Sequence, residues 1–238
     1  MNTPIVNVYT NDNSLWLLNG FQYLFKKYWS PNRHVRIVGY TPPKKAMLSE
    51  MFTFYSIDRR NYPASEWSTG VLRSLDKFIE DGEEFIIMML EDYWITEEVN
   101  VELVQLLCEF MDDQPRNILR LDLTADRCQH KRYATSYAQL GDCAVIRTDA
   151  GSPYQMSFQT GIWNLKLMRE VIQPYENPWQ AEIKGTERLA KAGDKYVVLG
   201  TTSPPICYQP VYRSQRVSLN ISRLPKEDHD VMLKRGWV

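Results

Sequence analysis

The sequence predicts an α/β protein built on a mainly parallel, Rossmann-type sheet flanked by helices, with a mixed second half. Three observations predict it. Strand-length apolar runs alternate with amphipathic helical stretches through the first 125 residues, the pattern of a parallel sheet covered by helices. One run, Phe85-Ile86-Ile87-Met88-Met89-Leu90, is wholly apolar, as a strand buried on both faces is. Two acids, Glu91 and Asp92, follow it directly, at the rim where open α/β sheets bind ligands.

Taken in order, residues 4–9 (PIVNVY) form a short strand that ends at Thr10-Asn11-Asp12-Asn13-Ser14, a cluster of turn and cap formers. Leu15, Trp16, Leu18, Phe21, Leu24, Phe25 and Tyr28 then recur at helical spacing. Residues 34–40 read as a second strand, halted by Pro42-Pro43, and 52–57 as a third, followed by a polar loop over 58–65. A helix runs from Trp67 to Glu80 with Leu72, Leu75, Phe78 and Ile79 on one face, and Asp81-Gly82 ends it. After the apolar strand, 98–112 is an amphipathic helix and 118–123 a further strand. The second half is less regular. Residues 135–147 contain strand-like stretches, 157–170 begin extended and turn helical, 179–192 are helical, and 195–199 form a strand. The tail from Pro210 is basic and poor in apolar periodicity. No repeat, low-complexity tract or linker interrupts the chain, so it reads as one domain over 1–238, with halves at 1–125 and 126–238.

The composition excludes several classes. With 28 Lys+Arg against 29 Asp+Glu the formal charge is −1, which rules out a generally polycationic nucleic-acid binder but not a local basic face. No apolar run reaches the roughly 18–20 residues of a membrane helix, and MNTPIVNVYT is too short and polar for a secretion signal. A cytoplasmic protein without a membrane span is expected. Cys108, Cys128, Cys143 and Cys207 lack metal-site spacing, and His34, His130 and His229 are isolated. Aromatic residues are abundant, with seven Trp and fourteen Tyr. Such rings either fill cores or make platforms for sugars and bases.

The acids at the end of the apolar strand carry the first chemical signal. A strand interior cannot hold two unpartnered carboxylates. At the strand's carboxyl end they are placed to hold a divalent metal that bridges diphosphate oxygens. The opposing reading is a solvated loop that merely begins with acids.

Three segments, in order, resemble the GT-A-type nucleotide-sugar glycosyltransferases, in particular small bacterial and phage-encoded members. They are VYTNDNSLWLLNGFQYLFKKYW, YPASEWSTGVLRSLDKFIEDGEEFIIMMLEDYWI, and YQMSFQTGIWNLKLMREVIQPYENPWQAEIKG with its Ser-Phe-Gln-x-x-Ile-Trp and Pro-Trp-x-x-Glu elements. The resemblance implies a GT-A-like fold and transfer of a sugar from a nucleotide-sugar, UDP-type favoured, to a hydroxyl acceptor. It implies a Mg or Mn ion on Asp92 with Glu91 beside it, although the usual signature at that point is Asp-x-Asp or Asp-Asp. It places Asn11 or Asp12 on the base or ribose and lets Asp58 and Arg59 complete that pocket. Ser68 touches the diphosphate, caps its helix, or does both. Glu182 becomes the base that takes the acceptor proton, and Gln159, Trp163 and Trp179 the acceptor-side contacts. The acceptor is a glycan or a hydroxylated base in phage DNA. Arg116, Arg120, Arg127, Lys131 and Arg132, and Arg213, Arg216, Arg223, Lys226, Lys234 and Arg235, are the two basic clusters available to DNA. Two rivals stand beside this reading: a non-catalytic sugar- or nucleotide-binding protein on the same fold, and a metal-dependent phosphate-cleaving enzyme, for which more clustered ligands are expected.

Overall fold

A computed structural model describes residues 4–29, 33–44, 47–114, 116–212 and 219–238, with Lys131 described by its backbone alone. Eleven strands and seven α-helices alternate along them. The first half contributes β1 (Val6–Tyr9), α1 (Leu18–Tyr28), β2 (Val35–Gly39), β3 (Phe52–Ser56), α2 (Trp67–Glu80), β4 (Phe85–Leu90), β5 (Tyr93–Ile95), α3 (Val101–Asp113) and β6 (Ile118–Asp122). The second contributes α4 (Asp126–Gln129), β7 (Ala134–Leu140), β8 (Cys143–Thr148), β9 (Gly161–Asn164), α5 (Leu165–Val171), α6 (Pro178–Ala192), β10 (Val197–Thr201), β11 (Tyr208–Pro210) and α7 (Lys226–Arg235).

Nine strands form one sheet in the order β3-β2-β1-β4-β9-β6-β10-β8-β7. The block β3-β2-β1-β4 is parallel throughout. Only β8 and β9 run against the rest, so the sheet is mostly parallel with a mixed second half, as the sequence predicts. The strands from β1 to β3 progress to one side, and β4 returns to the other side of β1. That reversal opens a crevice beyond the carboxyl ends of β1 and β4, the usual ligand position in such sheets.

Alternation along the strands divides the core between the two faces. Val6, Val8, Ile87 and Met89 pack with α1 and α3 in one cluster. Tyr9, Ile86 and Met88 pack with α2, α5 and α6 in the other. The helix over 67–80 and the strand over 85–90 fall where the periodicity puts them. Gly82, at φ +85°, makes the turn between them. Asn100 caps α3 by accepting from the Leu103 N–H at 2.9 Å, which sets its start at 101 rather than 98.

Three features differ from the sequence reading. β9, for which the sequence names no neighbours, inserts antiparallel between β4 and β6. β5, directly after the acids, pairs antiparallel with β11 as a separate two-stranded clasp, with Tyr93 opposite Pro210 and Trp94 opposite Gln209. And the tail is not without structure: α7 docks on α1 through Asp228, whose buried carboxylate accepts from Tyr23 Oη (2.8 Å), Tyr28 Oη (2.5 Å) and Lys27 Nζ (2.7 Å). Asp228 and a single fully buried apolar residue, Met232, anchor α7, so apolar periodicity alone does not reveal it. No helix among the described residues is long and apolar enough to cross a membrane.

Candidate active site

The crevice at the sheet reversal is a cavity of about 870 Å³. Every loop at the carboxyl ends of the first four strands reaches it: Thr10, Asn11, Asn13 and Ser14 after β1, Tyr40 after β2, Asn61 and Tyr62 after β3, and Glu91 and Asp92 after β4. The far wall comes from the second half, as Phe158 and Gln159 before β9 and Pro178, Trp179 and Glu182 in the first turns of α6. Pro210 and Tyr212 close a third side. The first half thus builds one bank of the cavity and the second half the other.

Glu91 is buried and Asp92 partly so. Burial and, for Glu91, the adjacent Asp92 charge raise both carboxyls above the ordinary carboxylate range. Hydroxyls of Ser14 and Thr10 hydrogen-bond Glu91 and partly offset the rise. Among the described residues no Lys or Arg pairs with either acid, and none lines the cavity. Two desolvated carboxyls without a cation are what a shared divalent ion relieves. The described residues contain no group of three or more His, Cys, Asp or Glu arranged to hold a metal. A Mg²⁺- or Mn²⁺-type ion bound by one or two carboxylates, and completed by substrate phosphates and water, fits this donor set; a closed all-protein metal cage does not.

Glu182 stands on the opposite bank. Asn177 and Gln180 form a reciprocal capping box at the start of α6, with Gln180 N donating to Asn177 Oδ1 at 2.8 Å and Asn177 N to Gln180 Oε1 at 3.1 Å. This fixes the turn that carries Trp179 and Glu182. One Glu182 oxygen accepts the Phe158 N–H at 2.8 Å. Burial raises its pKa, while that N–H and the Arg120 charge oppose the rise. The 155–159 loop is held in turn by Arg120, which donates to the Ser157 carbonyl at 2.5 Å, and by Thr186, which accepts from Met156 N at 3.1 Å. Trp179 is 59% exposed and forms part of the wall. Trp67 meets Phe158 edge-on at 4.7 Å, and both face the cavity.

Of the residues singled out from sequence, Asn11, Glu91, Asp92, Gln159, Trp179 and Glu182 meet in this one cavity. The others take different places. Trp163 has 0% exposure in β9, beneath Phe158 at 6.1 Å, and is withdrawn as a sugar platform because it has no surface to offer. Ser68 is fully buried and does not cap α2. Its hydroxyl accepts from Glu176 N at 2.9 Å, so it holds the approach to α6 rather than a diphosphate. Asp12 does not line the cavity: it accepts from Thr41 N (3.0 Å), Thr41 Oγ1 (2.7 Å) and Asn61 Nδ2 (3.0 Å), tying three rim loops together. Nor does it cap α1, and Ser14 makes no side-chain cap either. Asp58 is engaged by Arg73 (2.6 Å), Tyr62 Oη (3.2 Å) and Arg60 N (3.3 Å). Arg59 is exposed outside the cavity lining.

The first basic cluster is split between interior and surface: Arg132 is exposed, as are Arg223, Lys226, Lys234 and Arg235 of the second cluster. Arg120 and Arg127 are fully buried, with Arg120 paired to Asp122 at 3.0 Å and Arg127 to Asp126 at 2.8 Å. Arg116 pairs with Glu84 (3.3 Å), just before the amino end of β4 and so away from the cavity. Arg213 and Arg216 lie outside the described residues, as does the side chain of Lys131. Sequence reasoning missed Tyr40, Tyr62, Tyr93 and Tyr212 in the lining. The aromatic surplus was their only signal, and it carried no address.

No protein-family model matches the chain, and no curated protein matches it. Among solved structures, a cytidylyltransferase from Leptospira borgpetersenii serovar Hardjo-bovis is similar over 99% of this chain and 96% of that one, at 11% identity and a TM-score of 0.47. No residue role is carried over from it.

Proposed function

We propose that the protein is a nucleotide-sugar-dependent glycosyltransferase with a GT-A-like fold, acting over the whole chain. The observation that carries the reading is the arrangement of three carboxyl groups across one cavity: Glu91 and Asp92 on the bank formed by the parallel block, Glu182 on the bank formed by α6. Sugar transfer needs this separation, because the base must stand across the reacting carbon from the departing diphosphate. The nucleoside rests against Tyr40, Asn61 and Tyr62, with Asn11 near the phosphates. Asp92, with Glu91, holds a divalent ion, which when bound offsets charge on the leaving diphosphate. Glu182 has one oxygen committed to Phe158 N–H; the other takes the acceptor hydroxyl proton. Its raised affinity for protons strengthens it in that role. Trp179 and Gln159 receive the acceptor, an apolar ring face on the one and a polar group on the other.

A glycan is the favoured acceptor over a base in DNA. A polyanion approaching this wall would meet three carboxyl groups and no described cation, and two of the arginines expected to track a nucleic-acid backbone, Arg120 and Arg127, are buried and paired.

The test is incubation with a panel of UDP- and GDP-sugars and Mg²⁺ or Mn²⁺, following nucleotide release with neutral oligosaccharides and with hydroxymethylated DNA. Release stimulated by an oligosaccharide is expected. Binding without release identifies a binding protein instead. Absence of both binding and release overturns the reading.

A further inference from the structure

We infer that Tyr93 contacts the sugar being transferred: its phenol hydroxyl is a neutral hydrogen-bond donor, set in the cavity between the two banks, that reads an oxygen of that sugar. This rests on the donor reading above and deepens it.

The placement comes from the clasp. Tyr93 directly follows Asp92 and opens β5, and its pairing with Pro210 of β11 fixes the backbone there. The ring stacks on Tyr208 with centroids 4.4 Å apart and planes at 24°. It is 7% exposed and lines the cavity. A ring held on one face by a stack and at its backbone by a ladder has one setting, which is what a specificity contact needs. Asp92 and Glu182 line the same cavity. Tyr93 therefore adjoins the residue proposed for the diphosphate end, in a cavity whose far bank carries the residue proposed for the acceptor end, where the sugar ring must lie.

Its chemistry suits that position. A tyrosine phenol ionises only at about pH 10, so it keeps its proton and donates at neutral pH. Two other tyrosine hydroxyls on the cavity are already engaged. Tyr9 Oη is bonded to Ser74 at 2.9 Å, and Tyr62 Oη donates to Asp58 at 3.2 Å. With no described Lys or Arg in the lining, selection among sugar hydroxyls falls to neutral donors, and Tyr93 is the lining tyrosine whose ring is fixed by a parallel stack. A site built around such a donor discriminates against a sugar lacking its partner oxygen.

The experiment compares wild type with Tyr93→Phe, which removes the hydroxyl and keeps the stack on Tyr208. The donor is whichever UDP- or GDP-sugar in the panel turns over fastest, and the free nucleoside diphosphate is the control ligand. The expected result is a loss of about five- to tenfold in kcat/KM for the sugar donor, with unchanged affinity for the free nucleoside diphosphate and unchanged melting temperature. Equal kcat/KM in the two proteins overturns the role of Tyr93 while leaving the transferase reading intact. A parallel loss of nucleoside diphosphate affinity also overturns it, because that marks a structural role. A wild type that binds a nucleotide-sugar without turnover is compared through dissociation constants in the same way. A wild type that neither binds nor turns over any donor removes the transferase reading, and the role of Tyr93 with it.

Discussion

Asp92 and Glu91 enter the folded state at an electrostatic disadvantage. Their folded proton affinities are raised by burial and, for Glu91, by the Asp92 charge, whereas in the unfolded chain each ionises near pH 4. Between about pH 4 and neutrality the folded protein therefore binds more protons than the unfolded one, and stability falls as pH rises through that window. Thermal melts from about pH 5 to pH 8 are expected to show this decline, and Mn²⁺ should raise the melting temperature more at the upper end. Asp92→Asn should flatten the decline and abolish the Mn²⁺ effect; a metal effect that survives in the variant would remove Asp92 as a ligand. Glu182 makes a separate prediction. Glu182→Gln removes the proton acceptor and should lower kcat by about 10²–10⁴ with donor affinity kept. Because the base works only when ionised and its affinity for protons is raised, the acid limb of wild-type kcat should lie above the ordinary glutamate range.

At the scale of elements, one close approach sets what α1 tolerates. A Cβ on Gly20 of α1 would lie 2.4 Å from the Trp94 ring, which has 0% exposure. Gly20→Ala should therefore destabilise by about 1–3 kcal/mol through overpacking, despite alanine's better helix propensity, as chemical denaturation would measure. The first turn of α6 couples stability to chemistry more directly. Asn177→Ala should cost about 1 kcal/mol of stability and a larger share of kcat, because the capping box orients the turn that bears Trp179 and Glu182. A variant that loses stability but retains full kcat would show that Glu182 is held by Phe158 alone. Element boundaries were legible where one force dominated. The six apolar residues of β4 and the single apolar face of α2 leave no other assignment. The insertion of β9 was not legible, since periodicity reports which side of a strand is buried and says nothing of its neighbours.

For the whole molecule, the carboxyl-end rim was legible because acids after an apolar strand must surface there. What was not legible is how four separated stretches share the rim: Asp12 has the composition of a ligand but spends its oxygens on Thr41 and Asn61. Arg120 and Arg127 likewise have the composition of a nucleic-acid face, yet Asp122 and Asp126 neutralise them internally. Charge read along a chain does not reveal burial, and only the fold distinguishes a patch from a network. The order of the sheet also has a consequence for synthesis. β4 is hydrogen-bonded on one side to β1 and on the other to β9, which lies more than seventy residues later in the chain. Until Gly161–Asn164 has left the ribosome, the strand Phe85–Leu90 presents an unpaired, wholly apolar edge. An edge of that kind recruits other strands, so nascent chains stalled between 125 and 160 should be the aggregation-prone species, and chaperone dependence should end once β9 is available.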